Sequence, residues 1–159
     1  MKKSALALVA TLLLVAACDS DSNGNGSANG AGGMSADGRS QILGQVGGKD
    51  VTDRVFFATD SSVVDSEGQS ILDGQSAWLK ANTSVNITVE GHADERGTRE
   101  YNIALGERRA TAAKSYLVGQ GIAASRISTI SYGKERPATT GNDESAWSQN
   151  RRAVTVIAN

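Results

Sequence analysis

Apolar and polar positions change period several times along this chain. Val85-Asn86-Ile87-Thr88-Val89-Glu90 alternates strictly, the pattern of a strand with one buried face. Over residues 101–118 the period becomes helical, with Tyr101, Leu105, Ala112, Ala113 and Tyr116 on one stripe. An earlier helical face runs through Ile71, Leu72, Gln75, Trp78 and Leu79 and ends near Lys80. Ser66, with Gln69 three residues on, reads as its capping box, while Gly68 and Gly74 weaken it. Val55-Phe56-Phe57-Ala58 reads as a first strand, residues 85–90 as the second and 127–132 as the third. Residues 153–158 read as the fourth, apolar on both faces, which predicts a central position. Gly119 or Gly121 suits a left-handed cap on the second helix. The order strand–helix–strand–helix–strand, then a strand after a loop, predicts an α/β two-layer sandwich. Its sheet is mixed and four-stranded and packs on helices. No internal repeat is visible.

The amino terminus follows another logic. Lys2 and Lys3 precede an apolar run over residues 5–17, and Cys18 follows. Residues 1–17 therefore read as a secretory signal peptide, too short in its apolar part for a transmembrane helix. Leu14-Val15-Ala16-Ala17-Cys18 resembles a bacterial lipobox, in which the cysteine becomes the acylated, palmitate-bearing first residue. Cys18 is the only cysteine, so no intramolecular disulfide forms. Glycine, serine and asparagine crowd residues 18–50, a composition expected of a flexible linker. Residues 51–159 then suit one domain with one core.

Charge narrows the function. The formal net charge is −1, and loss of Lys2 and Lys3 makes the chain more negative. No basic face suggests nucleic acid. His92 is the only histidine, short of the ligand set of a zinc hydrolase. No serine has a histidine recognisably beside it. Gly91 to Gly97 lacks the Gly-Lys-Ser/Thr of a phosphate loop. An enzyme is not indicated, and neither a metal nor another cofactor is expected.

One pair of charges stands out. Asp94 lies in the loop after the second strand, and Arg109 falls on the apolar stripe of the helix that follows, four residues past Leu105. A guanidinium on a packing face is costly unless a carboxylate meets it. Asp94 and Arg109 fit two readings. One is a structural salt bridge. The other is a seat for a zwitterion, Asp94 taking an ammonium and Arg109 a carboxylate.

These residues belong to a longer pattern. Gly91-His92-Ala93-Asp94-Glu95-Arg96-Gly97-Thr98, Tyr101-Asn102, Leu105 and Glu107-Arg108-Arg109-Ala110 resemble the signature of the OmpA-like peptidoglycan-binding domain. Ser131-Tyr132-Gly133-Lys134-Glu135-Arg136-Pro137 and Asn150-Arg151-Arg152-Ala153 agree with it. The resemblance spans residues 51–159 in order. It implies a non-enzymatic domain that grips the diaminopimelate residue of a peptidoglycan stem peptide. Asp94 would take the amine and Arg109 a carboxylate. Phe57 and Asp60 would lend backbone groups, Leu105 a pocket wall, Asn102 a hold on the loop, and Thr98 a helix cap facing the pocket. Arg151 and Arg152 would either hold the last strand or contact the ligand. The resemblance further implies a lipoprotein on the periplasmic side of the outer membrane that tethers this membrane to the cell wall. Its implied partners are peptidoglycan, TolB and other Tol-system proteins, with roles in envelope integrity and cell division. Asp19, directly after the cysteine, instead resembles an inner-membrane retention signal of enteric bacteria. The alternative function is a lipoprotein of the same fold anchoring a stator or a secretion apparatus.

Overall fold

A computed structural model describes residues 42–158. The signal peptide, Cys18, Asp19 and the linker up to residue 41 lie outside the described residues. The elements in order are β1 (Ile42–Val46), β2 (Lys49–Thr52), β3 (Arg54–Phe56), α1 (Ser66–Ala81), β4 (Ile87–His92), α2 (Arg99–Gly119), a 3-10 turn (Ala124–Arg126), β5 (Ile127–Gly133), α3 (Glu144–Asn150) and β6 (Arg152–Ile157). β3, β6, β4 and β5 form a mixed four-stranded sheet in that spatial order, and β1–β2 form a separate two-stranded sheet. β4 and β5 run parallel, while β6 lies antiparallel to both β3 and β4. The last strand is therefore central, as its two apolar faces predict. Val55, Leu72, Leu79, Val89, Ala110, Leu117 and Ile127 join sheet and helices in one core.

Local chemistry sets the helix ends. The Thr98 hydroxyl caps α2 by accepting from Tyr101 N at 3.2 Å, the expected role. α1 is capped one residue earlier than the capping-box reading placed it. The Asp65 carboxylate accepts from Gly68 N at 2.8 Å, and its charge suits the helix N-terminus better than a Ser66 hydroxyl. After α2, Gly121 takes a positive φ of 94° and turns the chain toward the 3-10 turn.

Two glycines let α2 sit directly on β4. A Cβ added to Gly91 would lie 1.9 Å from the Gly106 carbonyl oxygen. A mid-helix glycine costs about 1 kcal/mol relative to alanine. Here it allows an approach that no side chain would permit, and this approach brings Arg109 against the end of β4.

Two elements depart from the sequence reading. Residues 42–50, which composition assigns to the linker, form the β1–β2 hairpin with the register Val46↔Lys49. Gly47 and Gly48 both take positive φ, 58° and 76°, and make a two-residue turn. Leu43 and Val46 pack on the core, and a Cβ on Gly44 would collide with Trp78. These glycines serve a turn and a close contact, so the folded unit takes in residues 42–50. The second departure is α3, which falls in the stretch read as a loop. Its cap is Asp143, accepting from Ala146 N at 2.9 Å. Seven residues are too few to display a helical period.

Candidate binding site

The sheet end at the carboxyl terminus of β4 opens into a cleft of about 310 Å³. Thr59 and Asp60 form one wall, Asp94, Arg96 and Gly97 the floor and loop side, and Tyr101, Asn102 and Leu105 the α2 side. Four expected site residues thus line one cavity: Asp60, Asp94, Asn102 and Leu105. Arg109, Phe57 and Thr98 do not line it. Arg109 and Phe57 lie buried, and Thr98 stays at the rim as the helix cap.

Asp94 is 7% exposed. Its carboxylate accepts from Arg96 Nε at 3.1 Å, Arg96 Nη2 at 2.6 Å and the Arg96 backbone N at 3.1 Å. Arg151 Nη1 stands 3.6 Å away. Burial pushes the Asp94 carboxyl up, but the Arg96 hydrogen bonds and the Arg96 and Arg151 charges outweigh it and hold it below its ordinary value.

Arg109 is fully buried, and its donors go to backbone carbonyls. Nε donates to Ser61 O at 2.8 Å, Nη1 to His92 O at 2.8 Å and Nη2 to Ala58 O at 3.2 Å. The guanidinium carbon lies 5.3 Å from the Phe57 ring centre. Burial lowers its pKa to about 10, with the Asp94 charge opposing that drop. The direct Asp94–Arg109 salt bridge foreseen as one reading is not formed. The ion pairs of Asp94 are with Arg96 and Arg151. The reason is local. Residues 58–61 leave the sheet after β3, and their carbonyls reach Arg109 before a side chain does. Carbonyl dipoles satisfy donors but carry no net charge, so the Arg109 cation remains without a carboxylate in contact.

The loop between β4 and α2 is braced from three sides. Asn102 Nδ2 donates to Arg96 O at 2.8 Å, the loop-fixing role expected of it. Lys134 Nζ donates to Glu95 O at 3.1 Å and Gly97 O at 2.7 Å. Gly97 takes a φ of 85°, which a side chain would resist. On α3, Trp147 stacks under the Arg96 guanidinium at 4.1 Å and donates from Nε1 to Glu95 Oε1 at 3.1 Å.

Sequence reasoning missed three contributors. Arg96 is the Asp94 counter-ion, foreshadowed only by its opposite charge two residues on. Tyr101 stands on the helical stripe but is 45% exposed, and its hydroxyl donates to the Asp60 carboxylate across the cleft. Trp147 has no local signature. Arg151 donates from Nε to Phe57 O at 2.9 Å and from Nη2 to Glu144 at 2.5 Å, so it ties the start of β6 to β3 and α3. Arg152 Nη2 donates to Arg136 O at 3.2 Å. His92 is buried, its Nε2 3.9 Å from Glu90, and burial lowers its pKa. Among the described residues no group of acidic, histidine or cysteine side chains could hold a metal ion.

Residues 56–151 match the OmpA family. The peptidoglycan-associated lipoprotein of Rhizobium meliloti (strain 1021) is 50% identical over 155 residues, which cover 96% of this chain and 85% of that relative. The peptidoglycan-associated lipoprotein of Haemophilus influenzae is 43% identical over 152 residues, 94% of each chain. The crystal structure of the peptidoglycan-associated lipoprotein from Burkholderia pseudomallei superposes with a TM-score of 0.65 at 39% identity, covering 67% of this chain and 91% of that one.

Proposed function

The chain belongs to the OmpA family, and from that premise we propose that it is a lipid-anchored, non-catalytic tether that grips peptidoglycan in the Asp94 cleft. One observation supports the cleft as the grip. A buried guanidinium held only by carbonyls lies behind a carboxylate whose strongest partner is a half-exposed arginine arm. A zwitterion corrects both imbalances. Its ammonium takes the Asp94 seat that Arg96 fills in the free protein. Its carboxylate approaches Arg109 from the side of residues 58–61 and supplies the missing negative charge. Diaminopimelate, with amine and carboxylates on one short chain, has this chemistry. Leu105 forms an apolar wall beneath its methylenes, and Asp60, Asn102 and Thr98 hold the mouth of the cleft in shape. Phe57 contributes from below, its ring packed under Arg109.

The rest of the tether follows from the amino terminus and the relatives. Acylated Cys18 anchors the chain in a membrane, several acyl chains together giving stable attachment. The outer membrane, with the domain facing the periplasm, is the assignment that agrees with lipoprotein relatives named for peptidoglycan. Partners from the Tol system, TolB first, and a part in envelope integrity and division complete the reading.

The decisive experiment compares ligands and variants together. The full chain should co-sediment with intact sacculi and not with sacculi stripped of stem peptides. Asp94→Asn should stop co-sedimentation while leaving the thermal melt near that of wild type. Retention on stripped sacculi, or undiminished binding by folded Asp94→Asn, would overturn the cleft as the grip. For the anchor, Cys18→Ser should take up no radiolabelled palmitate.

A further inference from the structure

Arg151 carries a donor that no role above uses. The residue is 6% exposed, and two bonds fix its guanidinium: Nε to Phe57 O at 2.9 Å and Nη2 to Glu144 Oε1 at 2.5 Å. The backbone adds a third tie, Phe57 N donating to Arg151 O at 2.9 Å. Nη1 is buried and has no hydrogen-bond partner among the described residues. It stands 3.6 Å from Asp94 Oδ2, within ion-pair range but short of a hydrogen bond, which closes at about 2.9 Å. A buried donor without a bond is uncommon in a folded protein and calls for a cause.

Asp94 Oδ2 already accepts from Arg96 Nη2 at 2.6 Å, and Oδ1 accepts from Arg96 Nε and the Arg96 backbone N. The Arg96 side chain is 39% exposed and that of Arg151 is 7% exposed. The close bonds therefore come from an arm with room to leave, and the long contact from one that is held. The other charges around Asp94 have their own loads. On α2, Arg109 bonds carbonyls through all three side-chain nitrogens, and Tyr101 donates to Asp60. Lys134, after β5, bonds the carbonyls of Glu95 and Gly97. The Glu95 carboxylate accepts from Trp147, and Glu144 on α3 holds Arg151. His92, at the end of β4, faces Glu90.

A ligand ammonium in the Arg96 place restores one charge but removes two side-chain hydrogen bonds from a carboxylate that is 7% exposed. We propose that Arg151 is a positioning residue of the grip: as the ammonium displaces the Arg96 arm, Arg151 Nη1 closes on Asp94 Oδ2 and becomes its fixed counter-ion. This deepens the cleft reading and rests on its ammonium seat. The lone pairs suffice, since Oδ1 keeps the Arg96 backbone N–H while Oδ2 receives the ammonium and Arg151. A shift of less than about 1 Å closes the gap. One turn of α3 serves both arginines. The Trp147 ring stacks on Arg96, and the Trp147 carbonyl accepts from Arg151 N at 3.0 Å. The Arg151 charge already helps to hold the Asp94 carboxyl below its ordinary value in the free protein, after the larger Arg96 contributions.

Calorimetry on the full chain in detergent, with a stem tripeptide ending in diaminopimelate as probe, tests the handover across a series of pH values. Arg151→Gln should weaken binding about tenfold at neutral pH and raise the acid midpoint of binding by about one unit. Arg151→Lys keeps the charge and should hold that midpoint close to wild type. Glu144→Gln loosens the tie to α3 but keeps the cation, and should also leave the midpoint in place. A purely structural Arg151 would lower the thermal melt of Arg151→Gln and leave the midpoint of the folded fraction unmoved, which overturns the proposal. The wild-type protein gives a reading that needs no folded variant. In nuclear magnetic resonance with isotope-labelled arginine, the tripeptide should speed exchange of the Arg96 side-chain protons and slow that of Arg151. Arg151 signals unchanged by bound tripeptide overturn the handover and leave the cleft standing. Absence of tripeptide binding in wild type sinks both.

Discussion

Two arginines at opposite ends of the sheet are bonded alike and behave differently. Arg109, at the carboxyl end of β4, donates to Ser61, His92 and Ala58 carbonyls. Arg126, in the 3-10 turn before β5, donates to the carbonyls of Leu79, Asn82 and Val85. Leu79 lies in the last turn of α1 and Asn82 is its C-cap. A helix C-terminus carries about half a negative charge, so Arg126 receives charge as well as hydrogen bonds. Arg109 receives carbonyls from an irregular segment and a strand end, which add no comparable charge. Its compensating charges are Asp94, which is already paired with Arg96, and more weakly Asp60, and neither carboxylate touches it. A count of hydrogen bonds would rank the two alike. A count of charge separates a closed structural cap from a cation still suited to an anion.

The contrast breaks first at binding. Arg109→Ala should weaken co-sedimentation with sacculi by about 30-fold or more, since a buried charge–carboxylate contact is worth a few kcal/mol. Arg126→Ala, remote from the cleft, should leave it within about twofold. Equal effects in a sedimentation titration would erase the distinction. Stability reads the other side. Arg126→Ala strips donors from carbonyls at the end of α1 and should cost about 1–3 kcal/mol. A calorimetric melt should show a drop of several degrees, and an unchanged midpoint would mean that water replaces the cap.

Acid sharpens the picture further. Asp94 has a folded pKa below its ordinary value, so the ionised carboxylate on which the proposed grip depends is present at neutral pH and is lost as pH falls through the lowered folded value. Sacculus binding should therefore persist through mildly acid buffer. In Arg96→Gln the loss should begin at higher pH, and an unshifted profile would remove Arg96 as the holder of that charge. The smallest effect belongs to His92. Burial lowers its folded pKa from 6.5, so the unfolded chain takes the proton first. Its share of stability is full above 6.5 and declines as pH falls toward the lowered folded value. His92→Gln should flatten that part of the stability–pH curve, measurable by urea melts at a series of pH values.

Much of the frame was legible because periodicity reports burial. β4 and α2 announced themselves by alternation and by a helical stripe, Thr98 by capping chemistry, and β6 by its double apolar faces. The buried cation on α2 was legible too, since Arg109 interrupts an apolar stripe. Its partners were not. They are carbonyls 17, 48 and 51 residues distant, and a carbonyl leaves no trace in side-chain identity. The hairpin was hidden by the same glycines that make its turn and its contact with Trp78. α3 was too short for a period, and with it went Trp147 and the brace on Arg96. A cap placed at Ser66 rather than Asp65 shows the usual one-residue slip when two good caps are adjacent.

If the chain is stretched between a lipid and a wall, as proposed above, the β1–β2 hairpin has a mechanical consequence. Ile42 and Thr52 are paired at its open end, so tension entering at residue 42 and leaving toward β3 pulls the two strands apart like a zipper. The rungs then bear load one at a time rather than together. The four-stranded sheet carries the same tension, but β3 is paired along β6 in a larger sheet, so the hairpin is the part that yields first. Opening pays out about 35 Å of extended chain. The first response to sudden strain would be added length, with the gripping surface left intact.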